Sequence, residues 1–350
     1  MTQSFANVPL QWVGPVKITG PEIDVETEIP LATYEAPLFA SVHRGARVAT
    51  VSGGICAVVI DERMTRSVLF EAPDAGVALQ CLQKIKTEFP ALQRVTETTS
   101  RFAKLIDVHS QIAGNLLFIR FEYTTGDASG HNMATQASEV LLNYILKRCP
   151  ELKYESLSGN YCCDKKTSAV NGVLGRGKYV VTELTVPEKL CRKYLKTTPE
   201  KIVQLNTRKN LIGTLLAGGL RSANAHFANM LLGFYLATGQ DAANIVEGSQ
   251  GIVQAEVRNG DLWFATTLPH LIVGTVGSGK GLPFVEEVLA ELGCRAEREP
   301  GANARRLALI CAAAVLCGEL SLLAALTNPG ELMTAHRKLE RNKCGNSSRL

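Results

Sequence analysis

Three stretches of this sequence place reactive side chains or free backbone amides where chemistry could be done. Gly274-Thr-Val-Gly-Ser-Gly-Lys-Gly281 follows a strand-like run at 268–273 and precedes a helical pattern. Gly274, Gly279 and Lys280 stand where a phosphate-cradling loop would have them. The position that should bear a magnesium-binding hydroxyl is Gly281, and no apolar strand ending in a metal-binding Asp follows, so a triphosphatase would lack its metal contact. A glycine turn holding some other ligand against its backbone fits better. Gly126-Asp-Ala-Ser-Gly-His-Asn132 lies just before a second helical pattern, where free N–H groups and the helix dipole suit an anionic group. A plain N-cap by Asp127 or Ser129 would explain the same residues. Ser158-Gly-Asn-Tyr-Cys-Cys-Asp-Lys-Lys166 sets two lysines beside an aspartate. Such a loop is ordinarily just solvated, but at a domain junction a lysine could serve a cleft.

Periodicity supplies the elements that must position these stretches. Residues 67–71 read as a strand. Pro73-Asp74 open a helix whose apolar positions are Val77, Cys81, Leu82 and Ile85. Residues 104–108 and 116–123 read as strands joined at Gly114-Asn115. In the second strand Leu117, Ile119, Phe121 and Tyr123 alternate with Phe118, Arg120 and Glu122. Another helix carries Met133, Ala137, Val140, Leu141, Tyr144 and Ile145 and stops at Pro150; residues 153–157 form a last strand. The order βαββαβ is ferredoxin-like. The first 66 residues are Pro- and Gly-punctuated with short strands, and helical stretches lie around 209–238, 283–293 and 302–326. The expected fold class is α+β: a large α+β domain (1–66 and 158–350) with an inserted ferredoxin-like βαββαβ unit (67–157).

Composition narrows the function classes. The 350 residues carry a formal charge of +4, with 46% hydrophobic and 20% charged residues, an ordinary globular balance. No Lys/Arg run is interleaved with aromatics, so nucleic acid is not an expected partner. None of the ten cysteines sits in a Cys-x-x-Cys pair, and no metal is expected. The N-terminus lacks a basic segment followed by an apolar one, so reduced thiols in a soluble, cytoplasmic protein are expected. Residues 307–326 are apolar enough to resemble a membrane span, but Glu319 among them would cost roughly 2.5–3.5 kcal/mol at a helix centre. A buried core helix, with no membrane, is the better reading.

With these residues in view, the chain resembles the catalytic domain of hydroxymethylglutaryl-CoA (HMG-CoA) reductase, nearer the class that includes the eukaryotic enzymes. The likeness runs from about residue 13 to residue 338. It is carried by motifs in the family's order: 35–47, Met64-Thr-Arg66, Ser100-Arg-Phe102, the 126–132 stretch, Ser158-Gly-Asn-Tyr with Asp164-Lys-Lys, and Lys209-Asn-Leu-Ile-Gly213. Asn224-Ala-His226, Gly239-Gln-Asp241, Gly274-Thr-Val-Gly277, Gly318-Glu-Leu-Ser-Leu322 and Ala335-His336 complete the series.

The resemblance implies an enzyme that reduces HMG-CoA to mevalonate and CoA with two NADPH. It implies Lys165 as the cation for the developing oxyanion and His336 as the proton donor to the departing CoA. Glu35 would protonate the aldehyde oxygen once burial raises its pKa, and Asp241 would join Glu35 and Lys165 in one hydrogen-bonded network. The substrate's carboxylate end is placed near Arg66, Ser158, Asn160, Asp164, Lys166 and Lys209. CoA is placed near Ser41, Arg44, Arg47, His226 and Asn229. NADPH is placed on the inserted unit at Ser100, Arg101, Asp127 and Asn132, with Gly277 and Gly279 closing over it. Arg101 as a partner for a 2′-phosphate favours NADP over NAD, and no Gly-x-Gly-x-x-Gly fingerprint follows a first strand. A homo-oligomer, dimer or tetramer, with its active site at the subunit interface is also implied.

The chain departs from the family pattern in places. Where members carry Glu-Asn-x-x-Gly, whose glutamate enters the neighbouring subunit's site, only Phe5-Ala6-Asn7 stands; this bears on the dimer contact. Ala36-Pro37 follow Glu35, and Pro37 lacks an N–H and fixes φ, so the CoA-side loop is expected to differ. Gly277-Ser-Gly-Lys280 replaces Gly-Gly-Gly-Thr, His131 replaces a Met or Gln, and Asn342 stands in place of the eukaryotic regulatory serine. A non-catalytic or altered-substrate acyl-CoA-binding relative is a second reading. A P-loop-like nucleotide-binding protein, resting on 274–280 alone, is a third.

Overall fold

The computed structural model describes residue 4 and residues 6–337, with the side chain of His336 outside it; Asn342 also lies outside the described residues. β1 (Leu10–Gly20) and β2 (Ile23–Ala32) form an antiparallel hairpin, followed by α1 (Ala36–Val51). The sequence suggests only short strands here, because Gly45 and the β-branched Val42, Val48 and Val51 weaken the helical signal. Pro37, in the first turn, suits the start of a helix. β3 (Ile55–Glu71) follows. Then come α2 (Ala75–Thr87), α3 (Phe89–Glu97), β4 (Lys104–Ala113), β5 (Leu116–Thr124), α4 (His131–Arg148), β6 (Lys153–Ser156), α5 (Ala169–Leu174), β7 (Gly177–Val186), β8 (Ile252–Arg258) and β9 (Asp261–Leu271).

β3 is 17 residues long and serves two sheets in turn. Residues 56–63 pair with β7 in a sheet ordered β2-β1-β3-β7-β9-β8. From Met64 onward β3 pairs with β5, and near its end also with β6, giving a second, antiparallel sheet ordered β6-β3-β5-β4. That strand order, crossed by α2 and α4, is the ferredoxin-like one. Position 66/67 therefore falls in mid-strand, with no linker to mark it. Asp74 caps α2 by accepting from the Val77 amide at 2.8 Å. α3, unread from the sequence, begins with Phe89-Pro90.

Each sheet has its own core. Val68, Phe70, Leu117, Ile119, Phe121 and Tyr123 face α2 and α4 in the second unit. The first sheet packs on a 25-residue helix, Ala302–Leu326, flanked by α1 and the helix Phe227–Ala237. That helix is long and apolar enough to cross a membrane, but 94% of its most apolar window is buried inside the protein. A helix apolar all round belongs in a core. Around 209–238 the helical stretch is broken: α- and π-helical turns run through 199–216, and Phe227–Ala237 starts afresh after Gly218-Gly219. Lys209 lies in the π-helical segment Asn206–Gly213, a geometry often found at functional sites.

α1 meets the core helix at backbone distance. A Cβ at Gly45 would sit 2.0 Å from the Cys317 carbonyl oxygen. Gly45→Ala should therefore force the helices apart and destabilise the fold by about 1–3 kcal/mol. A urea midpoint that falls while the m-value holds would show it; an unchanged midpoint would refute the close approach.

Candidate active site

The loop from Ser158 to Lys166 crosses the seam between the two sheets. Asn160, Cys163 and Lys165 all have positive φ, at 60°, 44° and 55°, a conformation that non-glycine residues keep only when their surroundings hold it. Buried polar groups do so here. Arg176, fully buried just before β7, donates Nη2 to Asp164 Oδ1 at 2.6 Å and Nη1 to both oxygens of Thr65 at 2.8 Å. Glu247, equally buried, accepts from the Lys165 amide at 3.2 Å and from Asn244 Nδ2 at 2.8 Å, with Arg176 Nε 3.7 Å away. Asn171 Nδ2 donates to the Cys163 carbonyl at 3.1 Å. So held, Lys165 places Nζ 2.7 Å from Asp241 Oδ2, while Asp241 Oδ1 accepts from the Ala243 amide at 3.1 Å.

The charges respond to these contacts. The Asp241 hydrogen bond raises the Lys165 pKa, against the opposing pull of burial, and keeps the ammonium charged. Burial pushes the Asp241 carboxyl up, but Lys165 and the Ala243 amide outweigh it and leave it below its ordinary value. At Asp164 burial is outweighed in the same way by His131 and Arg176, and the carboxyl ends well below the usual range. Glu247 goes the other way, raised by burial despite its donors.

The network implied for Glu35, Asp241 and Lys165 is only partly present. Among the described residues, hydrogen bonds join Lys165 to Asp241, whereas Glu35, half-buried at the N-cap of α1, accepts from Asn229 Nδ2 at 2.8 Å. Asn229 thus holds an oxygen of the carboxylate that Asp241 would have joined to Lys165. Arg66 Nη1 reaches Ser158 Oγ at 3.4 Å. Asn160, Lys166 and Lys209 are exposed. Among the described residues the two ammonium groups meet the Asp164 carbonyl at 3.1 Å and Asn210 Oδ1 at 3.4 Å, neither of them a carboxylate. His336, whose side chain lies outside the described residues, cannot be placed.

On the α1 side, Ser41 Oγ lies 3.0 Å from Ser321 Oγ, and Arg44 donates to Ser321 Oγ at 2.9 Å and to Glu331 Oε1 at 2.5 Å. Arg47 is exposed, its guanidinium 5.0 Å from the Tyr194 ring centre. His226 is oriented by Glu319, whose Oε1 contacts its backbone N at 2.6 Å and Nδ1 at 2.8 Å while Oε2 accepts from the Ala225 amide. Sequence reasoning missed Arg176, Glu247, Glu319 and Ser321 as residues that build the site. Only Glu319 left a signal, since a carboxylate inside an apolar helix must find a partner.

On the second unit a cleft of about 620 Å³ is lined by Glu62, Arg101, Phe102, Lys104, Thr124, Gly126 and Pro300. Arg101 lies 4.6 Å over the Phe102 ring, and Ser100 Oγ accepts from the Phe102 amide at 3.1 Å. Asp127 Oδ1 accepts from Ala304 N at 2.9 Å in the first turn of the core helix, and its carbonyl accepts from Thr275 N at 2.8 Å. One carboxylate oxygen of Asp127 is thus committed to the fold. Asn132 is exposed near the start of α4. Gly277 and Gly279, at φ 101° and 82°, form the turn facing this loop; a Cβ at Gly274 would lie 2.3 Å from Ser129 N.

That turn is not a P-loop. Lys280 is 5% exposed and donates its ammonium inward to the carbonyls of Gly239 and Ser278. Burial, helped by Arg295, lowers its pKa to about 8 although Asp241 opposes. The amine fastens the turn to the segment carrying Asp241 and is not presented to a phosphate.

The architecture is shared with the class II 3-hydroxy-3-methylglutaryl-CoA reductase of Streptococcus pneumoniae, solved bound to NADPH, with a TM-score of 0.74 at 20% identity over 93% of this chain and 86% of that one. This likeness is one of fold. The sequence comparisons go further. The family profile for hydroxymethylglutaryl-coenzyme A reductase matches residues 3–341. The 3-hydroxy-3-methylglutaryl-coenzyme A reductase of Pyrococcus abyssi is 46% identical over 337 residues, 95% of this chain and 82% of the relative. That of Phycomyces blakesleeanus is 44% identical over 95% of this chain and 28% of the relative. The chain belongs to the hydroxymethylglutaryl-coenzyme A reductase family.

Arg176 tests the geometry. Arg176→Met would leave Asp164 and Glu247 without their buried cation and should cost about 3–5 kcal/mol of stability, whereas Arg176→Lys should cost less. Chemical denaturation of both variants measures this; equal, small losses would show that the guanidinium is not the clamp.

Proposed function

We propose that this chain reduces the thioester of (S)-3-hydroxy-3-methylglutaryl-CoA to mevalonate and CoA with two molecules of NADPH. The contact between Lys165 and Asp241 at 2.7 Å, in the loop between the two sheets, carries this reading. NADPH would supply a hydride in each of the two reductions. When the carbonyl oxygen becomes an oxyanion, a fixed ammonium beside it is worth roughly 3 kcal/mol or more. Asp241 keeps Lys165 charged for that role. Departing CoA needs a proton, assigned to His336, and the aldehyde oxygen needs another, assigned to Glu35.

The remaining roles rest on charge and placement. Arg66, Lys166 and Lys209, with Ser158, Asn160 and Asp164 beside them, suit the substrate's free carboxylate. Ser41 and Arg44, both held by Ser321, with Arg47, His226 and Asn229 are assigned to CoA. NADPH fits the cleft of residues 67–157, which we take as the cofactor-binding domain. There Arg101 and Lys104 offer cations for phosphates and Phe102 an apolar face, and we assign Ser100, Asp127, Asn132, Gly277 and Gly279 to the same cofactor. No step requires a metal.

We also assign the chain to the class that includes the eukaryotic enzymes, supported by 44% identity to the fungal relative against 20% to the class II structure. A homodimer or larger homo-oligomer is supported by the exposed Leu211, Ile212, Leu215 and Leu216 beside Lys209. A soluble, cytoplasmic setting is supported by the burial of the apolar core helix and by free cysteines throughout the described residues.

NADPH absorbance followed with HMG-CoA present should fall, faster than with NADH. Folded protein that oxidises no NADPH anywhere between about pH 6 and 8 would reject the activity. Lys165→Ala should lower kcat at least about a hundredfold while CoA affinity holds; substantial residual turnover would move the oxyanion site elsewhere.

A further inference from the structure

The ion pair on which the proposed chemistry turns joins two half-exposed side chains, Lys165 at 41% and Asp241 at 48% of their side-chain surface. Exposed pairs hold a fixed geometry weakly, because two mobile side chains give up rotamer freedom for little Coulomb energy in water. Each partner must therefore be held from behind. Glu247 holds the Lys165 amide, and Arg176 holds the neighbouring Asp164. Behind Asp241 stands Gln240, which is buried, and its amide group is fully engaged. Oε1 accepts from Gly274 N at 2.9 Å, and Nε2 donates to Gly274 O at 3.1 Å and to Thr238 O at 2.7 Å. The side chain thus pairs with both backbone groups of Gly274, as a residue on a neighbouring antiparallel strand would. On its other side Gly274 abuts the second unit, where Thr275 N donates to the Asp127 carbonyl at 2.8 Å. At the far end of the turn Gly239 and Gly279 touch backbone to backbone, a Cβ on either lying within 2.7 Å of the other's carbonyl oxygen. The 238–241 segment and the glycine turn therefore move together.

We propose that Gln240 is a positioning residue: by locking the 239–241 backbone onto the glycine turn it sets where the Asp241 carboxylate meets Lys165, and so couples the cofactor's seat to the reactive lysine. This rests on Lys165 being the catalytic cation and on the turn covering the cofactor. A methionine at 240 would fill much the same space but could neither accept from the Gly274 amide nor donate to its carbonyl. Asp241 would then keep only its ion pair and the Ala243 amide. A displacement of about 1 Å at a reacting group can cost about a hundredfold in rate. The 158–166 backbone would stay where Arg176, Glu247 and Asn171 hold it, so the residues assigned to the substrate carboxylate keep their places. The loss belongs in the chemical step and in cofactor affinity.

Trace labelling with acetic anhydride, read lysine by lysine in fragment-ion spectra, measures the pair itself. Asp241 keeps the Lys165 amine as an ammonium, which does not acylate. Exposed Lys166, with no carboxylate partner among the described residues, is the internal reference. Asp241→Asn breaks the pair and should raise the Lys165-to-Lys166 labelling ratio severalfold. Gln240→Met and Gln240→Glu both lose the donated bonds and should raise it toward the same value. With NADPH and HMG-CoA, both variants should lose at least about tenfold in kcat and gain in KM for NADPH, while KM for HMG-CoA stays within about twofold. Folded variants with the wild-type ratio would overturn the proposal, as would a raised ratio with wild-type kcat. So would a ratio that Asp241→Asn leaves unchanged, or loss of folding in both variants, which would make Gln240 part of the fold alone. A folded wild type that oxidises no NADPH would instead sink the reductase reading, and the labelling would still decide what Gln240 holds.

Discussion

The guanidinium of Arg176 lies where no water reaches it, and a buried charge must be met on all sides by protein. Here the groups that meet it come from distant parts of the chain: Thr65 on β3, Asp164 on the 158–166 loop, and Glu247 after the Asp241 turn. Satisfying one cation thus fixes three segments relative to each other, and the left-handed backbone of Lys165 is the local strain that this arrangement tolerates. A second buried chain of charge backs it. Arg63 and Arg120 share the carboxylate of Glu122, and Arg120 donates to the Gly175 carbonyl at 2.5 Å, steadying the residue before Arg176.

The core helix organises much of the rest of the molecule. It is apolar for most of its length, and two polar side chains in its second half turn toward the α1 side. There Glu319 aims His226, and Ser321 anchors Ser41 and Arg44. The first turn of the same helix is capped by Asp127 from the second unit, so the two units are tied at that end of the helix as well as along β3. Within the first unit, Lys280 ties the glycine turn to the carbonyl that precedes Gln240 and Asp241.

Much of the second unit is legible in sequence because its strands alternate. Leu117, Ile119, Phe121 and Tyr123 fill one core, and Asp74 marks the start of α2. Alternation also makes Arg120 and Glu122 look outward-facing, whereas both are fully buried: the opposite face of β5 is covered by the Gly175–Gly177 segment, which periodicity within one strand cannot reveal. α1 is hidden by its valines and glycine, and α3 by its opening proline. The site residues carry weight only through their joint order along the chain. Contacts such as Glu319 with His226, or Asn229 with Glu35, link residues roughly 90 or more positions apart and leave no local trace.

The shared strand also sets an order in time. All the partners of the second sheet lie within residues 64–156, so they leave the ribosome before β7 does, and domains close as units as they emerge. Residues 56–63 must then wait for β7 with an unpaired edge. Glu247, which accepts from the Lys165 amide, arrives 82 residues after it. A nascent chain therefore completes its second unit early and the setting of Lys165 late, when Glu247 arrives.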